Sequence, residues 1–570
     1  MQFVLKELGM RNFAGVLLVF CIAVVLSSPA QTFNNLLSFS GSDGSFPYFG
    51  SLTQGINGNL YGATYYGWGK TNPPYCSNGS GCGTIFKITP AGMLTTVYSF
   101  CSIESCTDGS NPSQSLVQAT NGNFYGETAE GGAYGRGTIF EITPSGKLTT
   151  LYTFCSQALC PDGAYPFGGL VQAANGKFYG TTEDYGAHGG GTVFEMTATG
   201  TLTTLYNFCA QTNCTDGSGP LSGILQGTDG NFYGTTVGGG AHNYGTVFQM
   251  TGTGKLKALY SFCAQTNCTD GDQPFGGLLQ GGHGILYGTT YAGGSNNFGT
   301  VFEITTTGAL TTLHSFDGAD GGYPQVGVVA GSDGNGYGTT TLGGANGYGT
   351  IFEITKAGTF STLYSFCAQA GCTDGENLYG NGLVQATNGN FYGTTYGGGT
   401  NGDGTVFSLS VGLGAFVEML PGFGKVGNKI IILGSNLTGT SAVAFNGAAA
   451  TFTVVSPTEI TTTVPSGATT GTVSVTAPGG TLSSNVKFRV TPQITSFQPT
   501  SGPVGTVVTV TGVSLTQTTA VTFGGVNATS FTVNSDTQVT VTVPTGAKTG
   551  KIAITTSGGT AMSAASFTVT

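Results

Sequence analysis

Two groups of side chains in this sequence have the types and spacing to act on a ligand. The first is acidic. Glu127, Glu130, Glu183 and Asp184 fall at matching loop positions of two neighbouring stretches of chain, with Arg136 and His188 nearby. Paired carboxylates are what glycoside hydrolysis needs, one as acid and one as base or nucleophile. Threonine is usual where Glu127 stands in the related stretches. Loop carboxylates are, however, mostly solvated surface. Glu127, Glu183 and Asp184 are therefore the catalytic candidates of an enzyme reading that ranks second. The second group is aromatic. Tyr65, Tyr66, Trp68 and Tyr75 lie in the one large insertion of the chain, and Tyr396 stands at the position that matches Tyr65. Trp68 is the single tryptophan. Exposed tyrosine and tryptophan faces stack on sugar rings or anchor a protein partner; the competing use is to pack the loop on itself. No Ser-His-Asp order, nucleophile elbow, HExxH or P-loop appears.

Both groups sit in a tandem repeat. Tyr-Gly recurs at Tyr61, Tyr125, Tyr179, Tyr233, Tyr287, Tyr337 and Tyr392, mostly about 54 residues apart. A Gly-Thr-(Ile/Val)-Phe block follows each, and then a Leu-Tyr-Ser-Phe type of run. With a short Leu-Val-Gln block, each unit offers four β-type runs that alternate apolar and polar residues. Asn-Gly-Asn between the first two is a tight hairpin turn. Four antiparallel strands in 50 or more residues predict a propeller blade, and seven units predict a seven-bladed β-propeller. The chain enters at Thr32–Phe39 with a run of the fourth-strand type and leaves after Thr405–Leu409, a third-strand run. The N-terminal strand thus closes the ring and removes an edge. The longer loops, the cysteine pairs and the insertion share one face, where function is expected. An Asp-Gly in every repeat (Asp43, Asp108, Asp162, Asp216, Asp270, Asp320, Asp374) reads as a side-chain-capped turn rather than a calcium site, which would need several converging carboxylates.

Composition sets the class. Charged residues are 7% of the 570, glycine is 100 of them, and aromatics are 11%. Helical bundles, collagen and disorder are all disfavoured. Lys+Arg 16 against Asp+Glu 26 gives a net charge of −10, and no basic stripe exists to bind nucleic acid. Residues 1–30 read as a signal peptide: Lys6 and Arg11, then an apolar run from Phe13 to Leu26, then Ser28-Pro29-Ala30 before Gln31. The mature chain has no further apolar run long enough for a membrane span. Beyond Cys21 of the leader, twelve cysteines form six local pairs: Cys76/Cys82, Cys101/Cys106, Cys155/Cys160, Cys209/Cys214, Cys263/Cys268 and Cys367/Cys372. Each pair sits alone in its repeat and the histidines do not track them, so disulfides of an exported protein are expected, with no metal and no cofactor.

From about Gly412 tyrosine vanishes, and two segments of about 80 residues align with each other. The second carries Phe497-x-Pro499-x-Ser501-Gly502-Pro503-x-Gly505-Thr506, Val521-Thr522-Phe523-Gly524-Gly525 and Phe567-Thr568-Val569. The first repeats this loosely, with Gly422-Phe423-Gly424-Lys425 in place of the Ser-Gly-Pro turn. Short alternating strands at this length predict immunoglobulin-like sandwiches. These blocks resemble IPT/TIG domains, which in exported proteins act as spacers or binding modules. The seven-fold segment resembles the GloVer tandem repeat of secreted bacterial "choice-of-anchor" proteins, a family that brings no catalytic residues to carry over.

The expected organisation is a leader (1–30), an all-β propeller (31–411) and two sandwiches (412–490 and 491–570). The expected function is that of a secreted or cell-surface, non-catalytic binding or adhesion protein. Its partner would be a polysaccharide or a surface protein, held at Tyr65, Tyr66, Trp68, Tyr75 and Tyr396. A polysaccharide-cleaving enzyme and a purely architectural protein are the alternatives.

Overall fold

The computed structural model of the protein describes residues 31–68 and 81–570. The expected leader, and Tyr75 and Cys76 of the insertion, lie outside the described residues. The chain is all-β apart from short 3-10 turns. Among the described residues the repeat region forms seven four-stranded antiparallel sheets, here numbered 1 (53–99), 2 (110–153), 3 (171–207), 4 (225–261), 5 (279–315), 6 (329–365) and 7 (384–410, with 32–38). Sheet 3 is typical, with strands Val171–Gln172, Phe178–Thr182, Thr192–Met196 and Leu202–Asn207 in sequential order. Sheet 7 differs. Its fourth strand is Thr32–Ser38, paired antiparallel with Thr405–Ser410.

The repeated motifs have packing reasons. The tyrosine of Tyr-Gly lies against the phenylalanine one residue before the next Tyr-Gly: Tyr125 and Phe178 have ring centroids 4.2 Å apart, as do Tyr179 and Phe232. Sheets 1 to 4 are thereby joined in sequence through buried aromatic pairs, as are sheets 6 and 7. The glycine is needed because the phenylalanine of Gly-Thr-(Ile/Val)-Phe lies over it. A Cβ on Gly180 would stand 2.6 Å from the Phe194 ring. The threonines of the two blocks meet across the central strand pair, Thr182 Oγ1 lying 2.9 Å from Thr192 Oγ1, fully buried. The same pair recurs in every sheet.

The Asp-Gly turns behave as the sequence predicts. Asp270 is fully buried and accepts from the Tyr260 hydroxyl (2.8 Å) and the N–H groups of Ala264 (2.9 Å) and Gln265 (3.1 Å). It ties the Cys263–Cys268 loop to the fourth strand of the sheet before it. Replacing Asp270 by alanine removes three hydrogen bonds made by one fully buried carboxylate and is expected to cost about 2–4 kcal/mol. Asp43→Ala, which frees only the amide and hydroxyl of exposed Ser40, should cost less than about 1 kcal/mol. Urea unfolding of the two variants measures the difference.

Five cysteine pairs are bonded among the described residues: Cys101–Cys106, Cys155–Cys160, Cys209–Cys214, Cys263–Cys268 and Cys367–Cys372. The expected partnership of Cys82 with Cys76 falls on a residue outside them. The second cysteine of each pair does more than close a loop. Cys160 (φ 46°) and Cys214 (φ 52°) hold left-handed backbone, and each offers one carbonyl to two glycine amides. Cys160 O accepts from Gly163 N–H (2.9 Å) and Gly186 N–H (3.0 Å), and Cys214 O accepts from Gly217 and Gly240 N–H (both 2.9 Å). The disulfide loop is thereby pinned both to its own Asp-Gly turn and to the loop after the second strand of the next sheet.

The C-terminal part is two sandwiches with separate apolar cores, one around Ile432, Phe445 and Phe488 and the other around Val510, Phe523 and Phe567. The first sits on the hairpin-turn ends of the sheets. Thr458 Oγ1 donates to Ile56 O (3.0 Å), Phe416 N–H to Thr387 O (3.0 Å) and an Arg489 guanidinium N–H to Gly227 O (3.3 Å). Glu418 lines a cavity of about 310 Å³ between this sandwich and sheets 2 and 3. Among the described residues no helix is long and apolar enough to cross a membrane.

Candidate functional site: a tyrosine-lined cleft

At the strand ends opposite the first sandwich, five tyrosines line a cleft of about 560 Å³: Tyr48, Tyr65, Tyr66, Tyr379 and Tyr396. Two kinds of backbone bring them there. Tyr65 and Tyr396 follow the second strands Leu60–Thr64 and Phe391–Thr395. Tyr48 and Tyr379 come from the segments that enter sheets 1 and 7. In those segments Phe46 (φ 51°) and Asn377 (φ 54°) hold left-handed conformations that turn the chain inward. The rings support one another edge to face, Tyr65–Tyr66 at 4.9 Å, Tyr379–Tyr396 at 5.1 Å and Tyr48–Tyr65 at 5.4 Å between centroids. All five side chains are half-buried, so each keeps a face or its hydroxyl toward the cleft.

The electrostatics are those of a phenol-rich, acid-edged surface. Burial pushes the Tyr48 hydroxyl up to about 12, helped by Tyr396 and Glu183. Tyr65 is raised by burial first and then by Glu130. Glu183 is itself raised, by burial and then by Asp184. Tyr396 is raised by burial first and then by Tyr66, so the hydroxyls of Tyr48, Tyr65 and Tyr396 are neutral at physiological pH and able both to donate and to accept.

Three of the five expected residues line the cleft: Tyr65, Tyr66 and Tyr396. Trp68 is half-buried beside it and contributes no wall; its backbone N–H donates to Gly41 O. Tyr75 lies outside the described residues. The bonded cysteines, Cys160 and Cys214 among them, are absent from the cleft wall and serve the loops behind it. Sequence reasoning passed over Tyr48 and Tyr379. It also passed over Tyr291 and Tyr323, which lie 5.1 Å apart between centroids; Tyr291 is raised by burial first, then by Tyr323 and Tyr379. Tyr291 follows Gly-Thr-Thr as Tyr396 does, and that match was the available signal.

The acidic residues do not share one loop. Glu127 is inside strand Phe124–Glu130, 1% exposed, with its carboxylate accepting from Gly169 N–H of the neighbouring sheet at 2.9 Å. It fills the place where Thr181 and Thr235 donate to a carbonyl of the next sheet. The second oxygen, Oε1, is buried without a partner, and burial pushes the group up to about 8. Glu183 is half-buried at the cleft edge and Asp184 is exposed. Arg136 lies over the rings of Tyr165 and Tyr185, at 5.1 and 5.3 Å. Among the described residues, Cys/His/acid groups close enough to share a metal are Cys82–Cys101–Cys106 and Cys367–Cys372–Glu376, each built on a disulfide. A second cavity, of about 350 Å³, is lined by residues of all seven sheets or the segments entering them, among them Ser51, Gln114, Gly168, Ser222, Phe275, Gln325 and Gly382.

Comparison with known families settles the lineage. The model described as the Gloeobacter/Verrucomicrobia repeat matches residues 22–228, 74–278 and 225–455. The chain belongs to the Gloeobacter/Verrucomicrobia repeat family. The IPT/TIG domain matches residues 492–569. No curated protein matches the chain. Solved structures similar to parts of it include the surface glycan-binding protein PbSGBP-B of Prevotella bryantii (17% identity, TM-score 0.21, 25% of this chain and 37% of that one). SGBP-B from a xyloglucan utilization locus of Bacteroides uniformis is similar at 26% identity (TM-score 0.14, 27% and 48%). A fungal alcohol oxidase of the AA5 family is similar at 12% identity (TM-score 0.45, 78% and 98%). The chain spans less than half the length of the two glycan-binding proteins.

Proposed function

We propose that this repeat protein is a secreted, non-catalytic binding protein whose tyrosine cleft holds a polysaccharide. The observation that carries the reading is the convergence of Tyr48, Tyr65, Tyr66, Tyr379 and Tyr396 on one cleft. Aromatic faces take the C–H surface of a sugar ring, while neutral phenol hydroxyls meet its alcohols. The scaffold is a closed seven-bladed propeller (31–411) followed by sandwiches at 412–490 and 491–570. Three hydrogen bonds between sheets 1 and 7 support closure: Phe49 N–H to Tyr379 O (3.1 Å), Asn381 Nδ2 to Pro47 O (2.9 Å) and Thr387 N–H to Gln54 Oε1 (2.8 Å). The cavity shared by the seven sheets is then the axis of the ring. Docking of the first sandwich on the hairpin turns leaves the tyrosine end open to a ligand. The disulfides fit an extracytoplasmic site of action.

A glycan array probed with residues 31–570 tests the reading beside Tyr65→Ala and Tyr396→Ala. A hit should weaken about 10-fold in each variant and about 100-fold in the pair, as expected for central aromatic contacts. A blank array, or a hit indifferent to both changes, overturns it. Release of soluble product that is lost in Glu183→Gln would replace it with an enzyme.

A further inference from the structure

One repeat breaks the seam of buried side chains between sheets. The residue before each Tyr-Gly is Leu60, Phe124, Phe178, Phe232, Leu286, Gly336 and Phe391. In six repeats this side chain is fully buried between two sheets. At sheet 6 it is missing, and the tyrosine it should cover is Tyr287 of sheet 5. Tyr287 is accordingly only half-buried, whereas the other six Tyr-Gly tyrosines are at most 2% exposed. Its hydroxyl has no hydrogen bond among the described residues. The other six bond to a turn residue four positions earlier, as Tyr179 does to Asn175 and Tyr337 to Asp333. The residue at that place before Tyr287 is His283.

The omission leaves a cavity of about 400 Å³ between sheets 5 and 6, walled by Tyr287, Leu313, Val328 and Ile354. Gly282 and Lys356 stand exposed at its mouth. Lys356 has no ion pair among the described residues. Glu303 lies across the strand pair from Tyr287 and acts on its phenol end. The contacts of the first sandwich fall on other sheets, so the mouth is not covered by them. A void of this size with apolar walls and one charged group at its rim has the make-up of a small-molecule site.

We propose that this cavity binds a small arylalkyl carboxylate. The aromatic ring occupies the place of the missing phenylalanine and lies on Tyr287, as Phe178 lies on Tyr125. The carboxylate reaches the rim and pairs with Lys356. The site is independent of the tyrosine cleft, which lies at the other ends of the strands.

Isothermal titration of the intact chain with 3-phenylpropanoate tests the proposal. Saturable binding with Kd of about 0.1–1 mM is expected for a ligand of this size. The neutral 3-phenylpropanamide should bind about 5-fold or more weakly, and Lys356→Gln should weaken the acid to the same level. Gly336→Phe, which restores the seam, should abolish both. A Cβ at this position would stand 3.0 Å from Ile354 Cγ2, so Gly336→Leu, the residue type at Leu60 and Leu286, provides a second filled variant. No saturable binding by the unaltered chain up to about 10 mM, or binding that survives both fillings, overturns the proposal. Glycan retention is expected to be unchanged in all these variants, so its loss or failure bears on the cleft alone.

Discussion

Glu127→Gln is expected to stabilise the protein by about 3–5 kcal/mol above pH 8 and to change it little at pH 4. The carboxyl is buried in a strand, with one oxygen taking the Gly169 N–H and the other taking nothing. Burial raises it from 4.5 to about 8 in the folded state. In the unfolded chain it titrates near its ordinary value. Below that value both states hold the proton and the group contributes nothing. Between the two values the folded state binds more protons than the unfolded one, so stability falls as pH rises. Above about 8 the full cost of a buried, half-satisfied carboxylate is present. Glutamine keeps the shape and the acceptor for Gly169 without ionising. Glu127→Thr should follow the same pH profile, because Thr181 and Thr235 show what the position holds elsewhere. Melting temperature across pH 4–9 for the three proteins measures it. A difference between glutamate and glutamine that does not grow with pH would show that the carboxyl is not held protonated.

The same residue marks where the sequence was legible and where it was not. The strands, their order within a repeat, the capping aspartates and the local cysteine pairs all follow from contacts inside one repeat, and repetition amplifies such signals seven-fold. The second bond of the Cys160 and Cys214 carbonyls, to Gly186 and Gly240, was hidden because a backbone acceptor leaves no mark on residue type. Glu127 was recognisable as a departure from threonine. Its burial was not, because its partner Gly169 belongs to the next sheet and its place inside a strand looks locally like the start of a loop. Tyr48 and Tyr379 escaped for a related reason. They leave their segments through left-handed backbone at Phe46 and Asn377, and they meet Tyr65 and Tyr396 only because the first and last sheets are neighbours. The seat of the first sandwich rests on single polar contacts such as Thr458 to Ile56, which carry no pattern in a sequence. Gly336 was visible as a gap in a repeated block, but a gap becomes a cavity only when the neighbouring side chains fail to collapse into it.

Deleting residues 31–38 is expected to be the most damaging small change to the repeat region. The strand Thr32–Ser38 is the outer strand of sheet 7, paired from Thr32 opposite Ser410 to Ser38 opposite Thr405 with a register shift between Asn35 and Leu37. It brings Phe33, whose ring stacks on Tyr364 at 3.9 Å and touches Phe366 and Phe407. It also brings Asn35, whose amide donates to Thr373 O at 2.6 Å in the turn between sheets 6 and 7. Phe33→Ala alone should cost about 3–4 kcal/mol, as emptying an aromatic site usually does. Removing the whole strand also loses its backbone pairing and leaves Thr405–Ser410 as an open edge, which invites pairing with a second molecule. The deleted protein should therefore melt well below Phe33→Ala and form oligomers that grow with concentration, read by light scattering after gel filtration. The strand comes first in the repeat region yet completes its last sheet, so the proposed ring should behave as one cooperative unit. A single melting transition for all seven sheets is expected in the intact protein, and early melting of sheets 1 and 7 in the deleted one. Deletion that leaves the melting temperature and the monomer unchanged would mean that the ring does not depend on this strand for closure.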